Sequence, residues 1–600
     1  MLPDSAAAEQ AAAVSGSGAL VAAHRSGRAW LVCWGPPEPV LRASAGRTCL
    51  VVVGFCPATT GRLTELAAQV RTVADVDRVA RALPGSFHLI ASVDGRIRVQ
   101  GGVTGLRRVV HAKVRGVPVA GDRADLLASL TGAGVDEDAL AVRVVCGDAV
   151  PAPLGEQSLW QGVSAVPSDH YLLLDADRAR AVRWWSAPEP ALPLSEGAQV
   201  VRQALVEAMG HRPDRVSADM SGGLDSTSLC FLAAPHTPDL LTMRVAEAEV
   251  GNDDGVFADH AIRSLPGAEH LVLAQEDLPP LYTDPCRAID ADQPTACPRT
   301  DAQMRHLAGL LAERGYHWHV GGHGGDELFL PLHGYLHHLA RRRPLVALRH
   351  LRGLMALGRW PLGATLRGLA RPGTVRTWWR AQADELTGPP VSEWTPVLGW
   401  GLEPLRATAC ASPEAVATAR AALRRTAEQA EPLAADPGQH QAVLALWSTT
   451  VGYQQLAALF AEQGVFLDMP YLDDAVFEAV LSVQVHERST PWRYKALLSE
   501  AMRGILPDVI RHRDTKGDFS AESQTGLHHN MSAVQELFAD SALVERGLVD
   551  RERLRRLLPE SRTDPVAEIA LEDLIACEAW LRAVTGNTPQ ATGQTTTTGS

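Results

Sequence analysis

The sequence predicts an α/β protein with layered antiparallel sheets at the front, a doubly wound parallel sheet in the middle and a long helical part behind it. Three patterns lead there. Between about residues 20 and 185, short β-rich runs alternate with Gly, Pro and Asp turns. Between Ser195 and Gly321, β-rich runs alternate with helical stretches, and after Gly334 the pattern is helical almost to Thr585.

In the first region the runs are Ala29 to Cys33, Cys49 to Phe55, Phe87 to Ala91 and Ile97 to Val99, alternating with Gly, Pro and Asp turns, which suggests layered antiparallel sheets. The second region opens on an amphipathic segment ending near Met209. The apolar run Val216 to Met220 follows, then a glycine loop and a helix expected to start near Ser226. Leu240 to Ala246, His270 to Ala274 and His317 to Gly321 supply further strands. The expected division is a first domain over 1–190, a second over 191–586 and a disordered tail over 587–600, which is polar and ends in a threonine run.

The 600 residues, 46% hydrophobic and 21% charged, suffice for more than one core. No apolar run of about eighteen residues occurs and the first residues lack the pattern of a signal peptide, so a soluble cytoplasmic protein with no membrane role is expected. The nine cysteines show no C-x-x-C pair and no cluster with histidines, which indicates neither a disulfide framework nor a zinc site. A net charge of −13 gives no global reason to expect nucleic-acid binding.

The chemistry concentrates in two loops. In Ser221-Gly222-Gly223-Leu224-Asp225-Ser226 a strand gives way to glycines and a helix start, so backbone N–H groups converge as they must to bind a phosphate. Asp225 would repel that phosphate unless a cation lay between them, which makes it a candidate Mg²⁺ ligand. A tight strand-to-helix turn with a capping box is the plainer reading of the same residues. The second loop, Gly321-Gly322-His323-Gly324-Gly325-Asp326-Glu327, also follows a strand. Two βα loops of one parallel sheet open on the same carboxyl edge, which would set Asp326 opposite Asp225 as a second Mg²⁺ ligand and bring Gly322 and Gly324 to the pyrophosphate of ATP. Lys495 and Lys516 are two of very few lysines in an Arg-biased chain. Each is either a point charge for a phosphate or a solvated surface residue.

These loops, with Phe466 to Asp473 and the Arg513-Asp514-Thr515-Lys516-Gly517-Asp518-Phe519 segment, resemble the asparagine synthetase family. The resemblance implies an N-terminal glutaminase-like αββα sandwich, matched at Leu83 to Phe87 and Trp160 to Pro167, followed by an ATP-pyrophosphatase domain with a PP-loop at Ser221 to Ser226. The family's glutaminase uses a cysteine directly after Met1; here Leu2 stands there, and Cys33, Cys49 and Cys56 are internal, so the N-terminal domain is expected to be degenerate.

Members that join a carboxylate to an amine already in the substrate are then the nearer comparison. Pro491 to Leu498, Thr515 to Gly517 and the GHGGDE loop are similar to the lasso-peptide cyclases, which make macrolactams in ribosomal peptide biosynthesis. That likeness implies ATP as substrate, Mg²⁺, a precursor peptide and a leader peptidase or leader-binding protein as partners. It also implies Lys516 at the α-phosphate; His323 is either the candidate base or a loop hydrogen-bonder to substrate or phosphate, and Lys495 is a further catalytic candidate. β-Lactam synthetases and an ammonia-dependent asparagine synthetase stay open, as does a non-catalytic nucleotide-binding scaffold.

Residues 341–380 contain ten arginines and no acidic residue. They form either a docking face for the peptide or its protease, or a set of surface arginines over a helical core.

From Leu2, purified protein is expected to release no glutamate from glutamine; measurable glutamate formation would contradict the degenerate reading.

Overall fold

The computed structural model describes residues 1–8, 18–34, 38–247, 251–287, 290–370, 373–391, 394–513 and 520–586. Lys516 and the 587–600 tail lie outside them.

Eleven strands form the front of the molecule: β1 (Ala19–Ala23), β2 (Ala29–Cys33), β3 (Val40–Ala45), β4 (Thr48–Phe55), β5 (Ser86–Val93), β6 (Arg96–Gln100), β7 (Val109–Val114), β8 (Val117–Gly121), β9 (Ser164–Val166), β10 (His170–Leu174) and β11 (Ala179–Arg183). Six pair antiparallel in the order β11-β10-β6-β5-β4-β3, three form the sheet β8-β7-β9, and β1-β2 is a hairpin. Alternation along the strands sorts side chains between layers. Leu50, Val52, Leu89 and Ala91 face the helices Thr60–Gln69 and Val76–Ala82. Val51, Ile90 and Val99 face the other way, toward Val109, Ala120 and Val166 of the second sheet. Val110 and Ala112 on that sheet's far side cover Leu127 of the helix Ala124–Thr131.

Behind these layers lies a parallel sheet, β12 (Arg215–Asp219), β13 (Asp239–Val245), β14 (Glu269–Leu273), β15 (Trp318–Val320) and β16 (Phe466–Asp468), in the order β14-β13-β12-β15-β16. All four pairings are parallel. Its central strands carry short apolar runs because helices cover both faces. The chain adds strands outward on one side of β12 through β14 and then crosses back to place β15 on the other. The crevice between β12 and β15 is therefore the switch point at which doubly wound sheets bind ligands.

After Gly334 the described chain is almost wholly helical, as expected, and β16 is the strand that interrupts it. Three residues following a helix give no periodic signal, and only pairing with β15 makes them a strand. The helix after the first glycine loop starts at Leu224, two residues before the expected point, with Gly223 as its cap.

Residues just after β16 join the front layers to the back. Asp473 accepts from the Gly85 N–H (2.7 Å) and Asp474 from the Val103 N–H (2.9 Å). The Trp447 indole donates to the Val103 carbonyl (2.8 Å) and Gln454 to that of Gly105 (2.7 Å).

Burial, aided by the neighbouring Asp473, pushes the Asp474 carboxyl up to about 8. The folded protein holds there a proton that the unfolded chain releases near the ordinary carboxylate range of about 3.9. Its contribution to stability is therefore present at low pH and lost as pH rises toward about 8. Asp474→Asn keeps the acceptor and cannot ionise. It should raise the midpoint of thermal unfolding at pH 8 and leave it nearly unchanged at pH 4; an equal shift at both would place the proton elsewhere.

Candidate functional site

Both glycine loops are built by contacts that exclude a side chain. Gly222 has φ +83° and a Cβ there would sit 2.2 Å from the Asp254 carbonyl oxygen. A Cβ on Gly322 would lie 2.9 Å from the Ser226 amide nitrogen, and one on Gly325 would be 2.5 Å from Asp225 Oδ1. The second loop thus lies directly on the start of the helix Leu224–Ala233. Within the first loop the Ser221 and Ser226 hydroxyls are 2.9 Å apart, Ser221 N–H donates to Ser226 Oγ (3.2 Å) and Gly223 N–H to Ser221 Oγ (3.2 Å). No side chain caps that helix, so its first-turn N–H groups point at the crevice.

The loops open on a cavity of about 430 Å³, a size suited to a nucleotide. Ser221, Gly223, Asp225, Ser226, Gly322, His323, Gly324 and Asp326 all line it, so most of the residues singled out in the sequence meet there. Leu224 does not; its side chain is buried in the core behind the loop, and Gly222 contributes the bend.

Lys495 enters between the two aspartates. Its Nζ pairs with Asp225 Oδ2 and lies 2.5 Å from Asp326 Oδ1. The lysine is 1% exposed and takes a left-handed backbone (φ 41°), a conformation that costs a non-glycine residue about 1–3 kcal/mol. Burial works to neutralise the ammonium, but the Asp225 and Asp326 carboxylates outweigh it and hold its pKa above the ordinary lysine value. Burial in turn raises the Asp225 carboxyl, against the pull of Lys495. Nearby, Tyr471 donates its hydroxyl to the Asp225 carbonyl (3.0 Å).

The donor set fits a divalent cation. Among the described residues Asp225 Oδ1 is buried without a hydrogen-bond partner, although its other oxygen is held by Lys495. Asp219, Glu247, Asp254 and Glu327 add further carboxylates to the walls, so a polyphosphate would meet net repulsion unless a cation accompanied it. Among the described residues no group of three or more His, Cys, Asp or Glu side chains could hold a metal ion, so Asp225 and Asp326 could hold one only as a pair, with the polyphosphate supplying further oxygens.

Two groups escaped sequence reasoning. Tyr453 donates its hydroxyl to Glu327 Oε1 (2.8 Å), while Glu327 Oε2 is buried with no partner. Burial, reinforced by Glu327, holds the Tyr453 phenol above its ordinary range. Glu327 sits inside a recognised motif and could have been marked; Tyr453 lies mid-helix in Pro437–Glu462 and only packing brings it here. His323 stands edge-on to Tyr453, centroids 5.2 Å apart, with Nδ1 buried and without a hydrogen-bond partner among the described residues. Burial lowers its pKa, against the pull of the Asp219 carboxylate. Lys516 lies outside the described residues; the described chain ends before it at Arg513, whose guanidinium is 2.5 Å from Asp253 and 2.6 Å from the cavity-lining Asp254.

The sequence profile described as asparagine synthase matches residues 197–582. No curated protein matches the chain. Among solved structures, an allosteric regulatory enzyme of purine biosynthesis is 10% identical at a TM-score of 0.18, over 41% of this chain and 63% of that one. Glutamine phosphoribosylpyrophosphate amidotransferase from B. subtilis, complexed with ADP and GMP, is 10% identical at 0.17, over 41% and 65%. The match spans less than two thirds of either structure, and TM-scores this low carry no argument about this chain.

Lys495→Met leaves two facing carboxylates without their counter-ion and should destabilise the protein by about 3–5 kcal/mol. Millimolar Mg²⁺ should restore part of that loss in a thermal melt; a variant as stable as the parent would show that the ammonium does not hold the pair. Asp225→Asn and Asp326→Asn should each lower turnover by about two orders of magnitude or more.

Proposed function

The chain belongs to the asparagine synthase family, and on that premise we propose that it is a macrolactam synthetase, which adenylates an Asp or Glu side-chain carboxylate of a precursor peptide and joins it to the peptide's own N-terminal amine. ATP-dependent amide-bond formation comes with the family. The finer reading is supported by the likeness of Pro491 to Leu498 and the GHGGDE loop to lasso-peptide cyclases. The observation that carries it is that the glycine loop Ser221 to Ser226, the aspartates Asp225 and Asp326 and the His323 imidazole, whose Nδ1 has no hydrogen-bond partner among the described residues, line one cavity.

In the first step a carboxylate oxygen of the peptide attacks the α-phosphorus of ATP and pyrophosphate leaves, seated against the loop Ser221 to Ser226. A carboxylate needs this activation because oxide is a poor leaving group. Mg²⁺ held by Asp225 and Asp326 would neutralise the polyphosphate charge. In the second step the amine, having lost one proton to become nucleophilic, attacks the acyl carbon, AMP departs, and a second proton leaves the nitrogen to give the amide. An α-amine of pKa about 7.7–8.0 is largely protonated at neutral pH, so a base is required. His323 Nδ1 is the candidate acceptor, and Asp219, the carboxylate whose charge acts on the ring, can steady the imidazolium. Lys516, on the resemblance alone, is assigned to the α-phosphate and the developing acyl oxyanion.

The experiment combines full-length protein, ATP, Mg²⁺ and a candidate precursor peptide. AMP, pyrophosphate and a peptide lighter by one water, with its N-terminal amine blocked to labelling, are expected. ADP and phosphate, or asparagine made from aspartate and ammonia without any peptide, would overturn the proposal. His323→Phe should slow cyclisation by about 10²-fold or more while leaving pyrophosphate exchange within a few-fold; equal losses would make His323 a nucleotide-loop residue.

A further inference from the structure

The helices Pro344–Leu357 and Leu362–Ala370 present an unusual outer face. Residues 341–370 contain no Asp, Glu, Asn, Gln, Ser or Lys, and their polar side chains other than arginine and the largely buried indole of Trp360 are His350 and Thr365, both buried. What reaches solvent is therefore arginine and aliphatic carbon. Leu345 is 82% exposed, and Leu348, Leu357, Leu362 and Leu366 are all more than half exposed. Arg349, Arg352 and Arg359 stand among them, preceded by Arg341 to Arg343. None of these six arginines forms an ion pair among the described residues.

Two partly exposed tryptophans border the face, each beneath one of its arginines. Arg349 lies 4.5 Å over the Trp492 ring and Arg359 lies 5.1 Å over that of Trp394. Tryptophan and arginine together suit the boundary between water and an apolar layer.

We propose that this face seats the protein on an anionic lipid bilayer. A polypeptide partner offers donors and acceptors together, and surfaces that bind one carry both. This face offers only cationic donors and methyl groups, which complements a surface of phosphate acceptors laid over hydrocarbon. The remainder of a chain with net charge −13 is repelled by such a bilayer, so the charge distribution also selects the orientation. No described helix is long and apolar enough to cross a membrane, so the association is peripheral. The inference replaces the expectation that these arginines dock a peptide or its protease, and it is independent of which amide the enzyme makes.

The face also adjoins the catalytic loop. A Cβ on Gly353 would lie 2.6 Å from Pro491 Cβ, so the first helix packs on the segment Pro491 to Lys495 that delivers Lys495 to the aspartates. Docking would hold the nucleotide site close to the bilayer surface.

The test is flotation of the full chain with vesicles of phosphatidylglycerol and phosphatidylcholine, against vesicles of phosphatidylcholine alone, at low and high salt. The parent should float only with the anionic vesicles, less so at high salt. The double variant Arg349→Glu/Arg352→Glu should bind at least about tenfold more weakly, and Leu345→Ser/Leu348→Ser should lose the binding that survives high salt. Circular dichroism would verify that both variants fold. No flotation, equal flotation with neutral vesicles, or flotation unchanged in both variants overturns the proposal. So does binding of an acidic Glu/Leu helical peptide with no binding of vesicles, which would assign the face to a polypeptide.

Discussion

The site depends on a single buried lysine held between two carboxylates. Lys495 is one of three lysines in the chain, with Lys113 and Lys516, among 56 basic residues. Its neighbours explain why arginine does not serve there. A compact ammonium can approach Asp225 and Asp326 at once in a slot where the residue is 1% exposed, whereas a planar guanidinium needs a broader seat. Without the ammonium, or a metal in its stead, the two loops that carry these aspartates would repel one another across the crevice. The left-handed backbone at Lys495 is tolerated because its side chain closes that gap.

That arrangement rests on sheet topology. The loops after β12 and β15 are far apart in sequence, yet the crossover puts their strands side by side, so two glycine-rich turns face each other at one edge. Each glycine has a separate reason: Gly222 clears the Asp254 carbonyl, Gly322 clears the Ser226 amide and Gly325 clears the Asp225 carboxylate. Substituting any of them would push apart groups whose closeness makes the anion cradle. Helix Pro437–Glu462 then closes the cavity with Tyr453 and, six residues earlier, ties the front layers on through Trp447.

What could be read from the sequence follows from how local each signal is. The glycine loops, Asp225 and Asp326 were legible because turn chemistry and phosphate chemistry leave their mark within a few neighbouring residues. The four longer-signalled strands β12 to β15 were legible for the same reason. β16 was not: it is as short as β15 but stands within the long helical stretch, outside the alternation of runs and helices that marks β12 to β15, and the helix start was displaced because Leu224 already helps fill the core. The Tyr453–Glu327 contact spans 126 positions and leaves no local trace on the tyrosine's side. The exposed leucines among the arginines were equally hidden, because a helical pattern alone does not say which apolar positions find a neighbour.

The acidic walls, the carboxylate pair and the glycine loop share one cavity, and the proposed reaction there is attack by a carboxylate on the α-phosphorus of a polyphosphate that enters with its cation. The most direct test follows the oxygen atoms. A substrate peptide whose acceptor carboxylate carries an isotopic oxygen label is turned over once with ATP, and the products are separated by mass spectrometry. One labelled oxygen should appear in AMP, transferred when the acyl-adenylate collapses, and none in pyrophosphate. Label in inorganic phosphate, or unlabelled AMP beside a completed amide, would contradict adenylation as the activating step.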